Sequence, residues 1–177
     1  MPSIRREGDD SVQLRLFSDC SGAIEIAATQ TKPAFAGSRN MRSNFTQLYL
    51  HCVWATWDRL RLITSDIQET VYAAIIGECQ QIKCTVIALG GIEDHVHLLI
   101  SFPPTLAVSS LIKQIKGSSS HLVTHEIKPG EFFIRQGSYG AFSVSHDNLD
   151  QVVNYIRNQP IHHRHKSIIP TWELMAN

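Results

Sequence analysis

Two histidines separated by a single residue, His95 and His97, are the side chains whose spacing most directly suggests chemistry. They lie within residues 93–100, an apolar and branched run that follows Gly90 and Gly91. Such a run predicts a β-strand, in which alternate side chains share a face, so the two imidazoles would lie about 6.5–7 Å apart along the chain. Held on a rigid strand, they could ligate one cation or straddle one phosphate. The alternative interpretation of this spacing alone is a pair of ordinary strand histidines.

Tyr155 and Gln159 form a second pair, on a helix predicted to begin at Asp147, a residue type that caps helices well. The two positions are about 40° apart around a helix axis and one turn apart along it, so both side chains project toward whatever the helix packs on. Pro160 limits this helix and disfavours helical geometry at Gln159. The apolar stripe beside the pair consists of Leu149, Val152, Val153 and Ile156.

The elements that must position these residues follow the order strand, helix, strand, strand, helix, strand. Ser65 and Gln68 predict a capping box for the first helix, and Thr105 a cap for the second. The expected elements are strands over 45–57, 85–89, 94–102 and 141–144, with a further candidate at 132–134, and helices over 66–83 and from 105 to about 122. Gly90 and Gly91 are interpreted as the turn of a hairpin. This order predicts an α+β, ferredoxin-like antiparallel sheet with helices on one face, and the C-terminal tyrosine-bearing helix would cover the other.

Length and composition place the protein among ordinary globular chains. At 177 residues, 43% of them apolar, the sequence suits one domain, expected over residues 42–177, with an irregular N-terminal extension over residues 1–41. No segment approaches the roughly 18–20 uncharged apolar residues of a membrane span, and the N-terminus has no apolar signal region. The four cysteines show no disulfide or metal spacing. We therefore expect a cytoplasmic protein without a membrane partner.

Charge is uneven although the net charge is zero. The segment from residue 113 to residue 166 contains seven Lys or Arg residues and four Asp or Glu residues. This modest basic bias is compatible with phosphate contacts. Lys116, Arg135, Arg157 and Arg164 are candidates for such contacts, and solvated charges are the alternative for each.

Four separated motifs occur in a fixed order and together resemble a known family. They are Asp-His-Val-His-Leu-Leu-Ile at 94–100, Ile-Lys-Gly-Ser-Ser-Ser at 115–120, Gly-Ser-Tyr-Gly-Ala-Phe-Ser-Val-Ser at 137–145, and Tyr-Ile-Arg-Asn-Gln at 155–159, followed by His162 and His163. The sequence closely resembles the small single-tyrosine transposases of the HUH type, which include the REP-associated tyrosine transposases. The likeness covers about residues 42–166, so residues 1–41 have no counterpart.

The resemblance implies a DNA strand transferase that cleaves and rejoins single-stranded DNA at hairpin-bearing element ends through a 5′-phosphotyrosine intermediate. By this resemblance Tyr155 would be the nucleophile, and His95, His97 and Gln159 would ligate a divalent metal ion. Mixed nitrogen and oxygen ligation suits Mn²⁺ and tolerates Mg²⁺. The family also implies a homodimer, in which the tyrosine helix can serve either subunit.

Other functions and residue roles stay open at this point. A host-adopted protein that binds DNA hairpins without transposing, and a metal-dependent phosphodiesterase, are the alternative functions. Tyr139 and Tyr72 are weaker candidates for the nucleophile, because neither has a ligand-type side chain one turn away. Asp94 could orient a histidine or cap a turn, and His51 could approach the site or lie in the core. His162, His163 and His165 are interpreted as a DNA-facing or solvated tail.

Overall fold

The structure is a computed structural model that describes residues 17–18, 24–25 and 45–175. Its strands are β1 (Phe17–Ser18), β2 (Ile24–Glu25), β3 (Tyr49–Ala55), β4 (Thr85–Ile92), β5 (His95–Ser101) and β6 (Gly140–Val144). Its α-helices are α1 (Gln68–Gln81), α2 (Val108–Leu122), α3 (Leu149–Arg157) and α4 (Gln159–His165). A single π-helical turn, Val123–Ile127, continues α2. No helix in the described part of the chain is both long and apolar enough to cross a membrane.

One antiparallel sheet contains all six strands, in the order β1-β2-β4-β5-β3-β6. The four long strands and the two helices between them have the connectivity and strand order of a ferredoxin-like sheet, so the predicted α+β fold class is confirmed. The short strands β1 and β2 fall within the expected irregular extension, and β2 pairs with the outer edge of β4. The rest of residues 1–41 lies outside the described residues.

The two faces of the sheet carry different helices. Val96, Leu98 and Ile100 of β5 point into a large core that α1 and α2 complete with residues such as Ile75 and Ile115. The opposite face is covered by α3. There Ala88 and Leu99 pack against Val152 and Ile156. Because side chains alternate along a strand, His95 and His97 share the α3 face with Leu99. The sheet thus directs the histidines toward the tyrosine helix.

The predicted turn at Gly90 and Gly91 is wrong, since both residues lie inside β4 and the hairpin turns at Glu93 and Asp94. The glycines serve close packing and backbone geometry instead. A Cβ on Gly90 would lie 2.6 Å from the backbone oxygen of Ile156, so only glycine lets α3 approach the strand this closely. Gly91 has a φ of +154°, and a Cβ there would meet the backbone oxygen of His95.

Three local predictions also differ from the structure. Helix α1 begins at Gln68 without a side-chain cap, and α2 likewise begins at Val108, so neither Ser65 nor Thr105 caps a helix. Residues 132–134 form no strand, and only a single bridge joins Arg135 to Thr56. Asp147 does not cap the tyrosine helix either: it lies within a 3₁₀ turn, His146–Asn148, and α3 begins after that turn without a side-chain cap. A helix cap is worth only about 1 kcal/mol, so a capping residue type in the sequence does not by itself fix where a helix begins.

Candidate active site

Strand β5 holds His95 and His97 rigidly, because it lies between β3 and β4 and is paired along its whole length. Both side chains are fully buried, and their ring centroids are 5.0 Å apart. Their position is therefore set by the sheet and not by mobile loops.

The Nδ1 atom of each histidine already has a partner, which fixes how the rings are turned. Nδ1 of His95 donates to Oδ1 of Asp94 at 2.5 Å. Nδ1 of His97 lies 2.9 Å from Nε2 of His51, a residue of β3 that is only 1% exposed. Burial alone would raise the pKa of Asp94, but its hydrogen bond with His95 and the nearby charges of His95 and Arg59 together outweigh this and lower it. Both Nε2 atoms are consequently free to face a common point.

Gln159 and Glu173 bring two oxygens to that point. Oε1 of Gln159 lies 3.1 Å from Nε2 of His95. Oε2 of Glu173 lies 3.5 Å from Nε2 of His95 and 3.3 Å from Nε2 of His97. Two nitrogens and two oxygens of side chains thus converge in one buried space.

A bound cation would give these buried nitrogen and oxygen atoms a partner. Nε2 of His97 and Oε2 of Glu173 are buried, and neither has a hydrogen-bond partner among the described residues. Although these atoms are only 3.3 Å apart, their angles are not those of a hydrogen bond. Buried polar atoms without partners are costly, and ligation of a metal ion removes that cost. Ligand atoms of His95, His97 and Glu173 all lie within 4.8 Å of one another, close enough to hold one ion.

Burial favours the neutral forms of His97 and His51, and a neutral imidazole is the form that ligates metals. Burial lowers the pKa of His97 to about 4, although Glu173 partly opposes this. Burial and the neighbouring His97 lower the pKa of His51 to about 3. Burial alone would raise the pKa of Glu173, but the contacts with His97, Tyr155 and His95 outweigh it and hold this carboxyl ionised.

Tyr155 lies beside the same cluster. Its hydroxyl donates to Oε1 of Glu173 and accepts the backbone N–H of Ile169 at 3.1 Å. Its ring stands edge-on to His97 and to Trp172, with centroids 5.8 and 5.0 Å away. Burial, and then the bond to Glu173, raises the pKa of Tyr155 to about 12. The phenol is thus fully protonated at neutral pH in this arrangement.

The structure brings the four predicted site residues, Tyr155, His95, His97 and Gln159, together within one chain. The expectation that Gln159 shares the tyrosine helix is wrong, because α3 ends at Arg157 and Gln159 begins α4. Pro160 occupies the first turn of α4, where the missing N–H is harmless. The short break still leaves the Gln159 side chain fully buried beside His95.

Sequence reasoning missed Glu173 entirely and left His51 and Asp94 open. Glu173 arrives from a short C-terminal 3₁₀ segment, Pro170–Trp172, and no spacing pattern in the sequence connects it with the histidines. His163 packs against His95, and His162 stacks on Tyr155, so two of the three tail histidines adjoin the site. Tyr72 and Tyr139 belong to the core on the opposite sheet face.

Comparisons with known proteins agree on one family. A family model described as "Transposase IS200 like" matches residues 44–159, more than half of the chain. The ISDra2 transposase TnpA of Deinococcus radiodurans is 25% identical over 120 residues, which cover 64% of this chain and 84% of that protein.

Two solved structures share the fold. One is a crystal structure described as a transposase from Deinococcus radiodurans, with a TM-score of 0.54 and 24% identity, over 69% of this chain and 98% of that one. The other is a REP-associated tyrosine transposase bound to a REP hairpin, with a TM-score of 0.54 and 19% identity, over 72% of this chain and 74% of that one.

Proposed function

Because this chain belongs to the IS200-like transposase family, we propose that it cleaves and rejoins single-stranded DNA at hairpin-bearing ends through a covalent bond to Tyr155. The observation that carries the proposal is the convergence of the Tyr155 hydroxyl, two buried imidazoles and two side-chain oxygens at one point. A structural neighbour bound to a REP hairpin supports a hairpin as the substrate.

His95, His97 and Gln159 would hold a divalent cation, with Glu173 as a fourth ligand. When bound, Mg²⁺ or Mn²⁺ would act as a Lewis acid that draws charge from a non-bridging oxygen of the scissile phosphate. Asp94 and His51 turn the two imidazoles so that each Nε2 faces the ligand position, as is usual around metal-bound histidines. The unpartnered atoms of His97 and Glu173 support this assignment over a purely structural cluster.

Tyr155 would act as the nucleophile. Its oxygen forms the new bond to phosphorus while the bond from phosphorus to the 3′ oxygen breaks, which leaves a 5′-phosphotyrosine and a free 3′-OH once that oxygen takes a proton. The phenolic proton must leave Tyr155, and Glu173 already accepts its hydrogen bond. Attack by another 3′-OH reverses the step and rejoins DNA, because the phosphotyrosine conserves the bond energy.

We propose further that residues 42–177 form the catalytic domain, that two copies act as a homodimer and that the protein works in the cytoplasm. The family resemblance supports the homodimer, and the family model supports residues 44–159 of this domain. In the described chain, the tyrosine helix packs on the sheet that carries its own histidines, through Ile156 and Leu99. This arrangement favours catalysis by groups of a single subunit.

The test is formation of a protein–DNA adduct that survives denaturation. Purified protein with Mn²⁺ and a single-stranded hairpin oligonucleotide should give a labelled band that persists in denaturing gels. Tyr155→Phe should abolish the band, since it removes the attacking oxygen and little volume. Tyr72→Phe is the matched control, in the core on the opposite sheet face, and should keep the adduct. An adduct that persists in Tyr155→Phe, or none with any divalent ion, would rule out this mechanism.

A further inference from the structure

A groove lies between α2 and the segment at residues 133–139, on the sheet face opposite the histidines. We call it the α2 groove; its volume is about 530 Å³. Its walls include Ile112 and Phe133, which belong to the core that α1 and α2 build against the sheet. The sheet therefore separates the groove from the metal ligands, and the proposed chemistry does not account for it.

The groove is basic. Lys113, Lys116 and Arg135 line it together with His121 and His125, and no Asp or Glu is among the described residues that do so. A cleft lined by charges of one sign concentrates the field of those charges and attracts ligands of the opposite sign. The charge pattern thus favours an anion.

Arg135 is a buried cation that lacks an anionic partner. It is only 7% exposed, and none of its three guanidinium nitrogens has a hydrogen-bond partner among the described residues. Its guanidinium carbon lies 5.6 and 5.7 Å from the ring centroids of Trp54 and Phe133, contacts that leave the N–H donors unused. Burial lowers the pKa of Arg135 to about 10, so it stays charged at neutral pH. A buried charge without a partner is costly, which points to a ligand that the fold keeps it for.

Lys116 fixes the segment that carries Arg135. Its ammonium group donates to the backbone oxygens of Gln136, Gly137 and Ser138, at 2.6, 3.3 and 2.9 Å. The Arg135 segment is thereby anchored to α2 before any ligand arrives. Preorganisation of this kind reduces the cost of binding.

The groove also leads toward the tyrosine site. Gln136 lines both the α2 groove and a second cavity, whose other walls include Arg59 and the carboxylates of Asp58 and Glu173. A chain that occupied both cavities would pass around the sheet beside Gln136.

We propose that the α2 groove binds a backbone phosphate of the DNA substrate through the Arg135 guanidinium. This inference rests on the proposed function, because it takes DNA as the substrate. The guanidinium nitrogens lie beneath the groove surface, so their charge attracts the phosphate through space and no direct hydrogen bond is required. Free phosphate is the alternative occupant, and the spectroscopic measurement below distinguishes it from a DNA strand.

The test compares DNA affinity with stability in Arg135→Met, which keeps an unbranched side chain and removes the charge. The probe is a fluorescein-labelled oligothymidine of about 20 nucleotides, measured by anisotropy without divalent ions. Binding should weaken roughly tenfold or more, as expected when a nearby positive charge in a poorly solvated site is lost. The slope of log affinity against log salt should fall by about 0.7, since one phosphate contact disappears. The midpoint of thermal unfolding should stay unchanged or rise, because a buried unpaired charge is removed.

Lys83→Met is the matched control, because it removes one exposed positive charge outside the groove. It should alter affinity by less than about twofold, as a solvated charge does. Affinity of Arg135→Met equal to that of the control would overturn the inference, even if wild-type protein still forms the tyrosine adduct. Conversely, weakened binding in Arg135→Met supports the groove even if no adduct ever forms, so the two proposals can fail separately.

A second measurement uses only wild-type protein, so its result does not depend on whether a variant folds. The side-chain Nε–H resonance of Arg135 should shift in ¹⁵N spectra of wild-type protein when the oligothymidine is added. A shift with inorganic phosphate but none with the oligonucleotide would assign the groove to a small anion and overturn the DNA assignment. No shift with either probe would overturn it as well.

Discussion

Replacing Gly90 by alanine should push the tyrosine helix away from the sheet. A Cβ at Gly90 would lie 2.6 Å from the backbone oxygen of Ile156, whereas ordinary van der Waals contact begins at 3.4 Å. The helix or the strand must therefore move by about 0.8 Å, the difference between these distances. The contact is with backbone, so no flexible side chain can relieve it. Overpacking of this kind typically costs about 1–3 kcal/mol.

The displacement should affect chemistry as well as stability. Tyr155 precedes Ile156 in α3, and Gly90 pairs with His97 across the sheet, so the clash lies between the nucleophile and a metal ligand. A misplacement of about 1 Å can lower a reaction rate by roughly 100-fold. We expect Gly90→Ala to lower the single-turnover rate of adduct formation by about 10- to 100-fold at saturating DNA.

Gly77→Ala is the matched control for the same chemical change. Gly77 lies inside α1, and an added Cβ there would meet nothing within 4 Å. Alanine should stabilise this helix by up to about 1 kcal/mol and leave the rate unchanged. Urea unfolding and denaturing gels measure the two quantities. If Gly90→Ala matched wild-type protein in both, the close packing of α3 on β4 would not be what positions Tyr155.

Two further predictions concern the metal ligands and their neighbours. Asp94→Asn should weaken Mn²⁺ binding by about 10- to 100-fold in calorimetric titrations, because His95 loses the carboxylate that orients it, and unchanged affinity would refute this role. Acidification should destabilise the protein between about pH 6.5 and 4: His51 and His97 have lowered pKa values when folded, so the unfolded chain binds more protons there and stability rises with pH. Unfolding by urea as a function of pH measures this, and a flat stability profile across that range would contradict it.

The sequence predicted the fold because its strongest patterns agree with the core. Alternation along β5 separates Val96 and Leu98 from the two histidines, and the order of strands and helices allows few topologies. The prediction of a turn at Gly90 was wrong because glycine occurs both in turns and at positions where two backbones pack closely. Glycine at position 90 suits a turn equally well, but in the structure its missing side chain makes room for a helix that sequence proximity does not reveal.

The predicted site was incomplete for a related reason. Tyr155, His95 and His97 belong to motifs with recognisable spacing, whereas Glu173 reaches the same point only through the path of the C-terminal segment. A lone carboxyl in such a segment carries no periodicity. Gln159 shows the limit of helical geometry as a guide, since its side chain reaches His95 from the start of a separate helix.

The packing of α3 on its own sheet has a genetic consequence. If each copy supplies both the tyrosine and its histidines, one molecule is a self-sufficient reaction unit. Under the proposed chemistry, a copy defective at Tyr155 and another defective at His95 would not complement each other within a mixed assembly. A cell that carries both alleles would then behave as though it had neither gene.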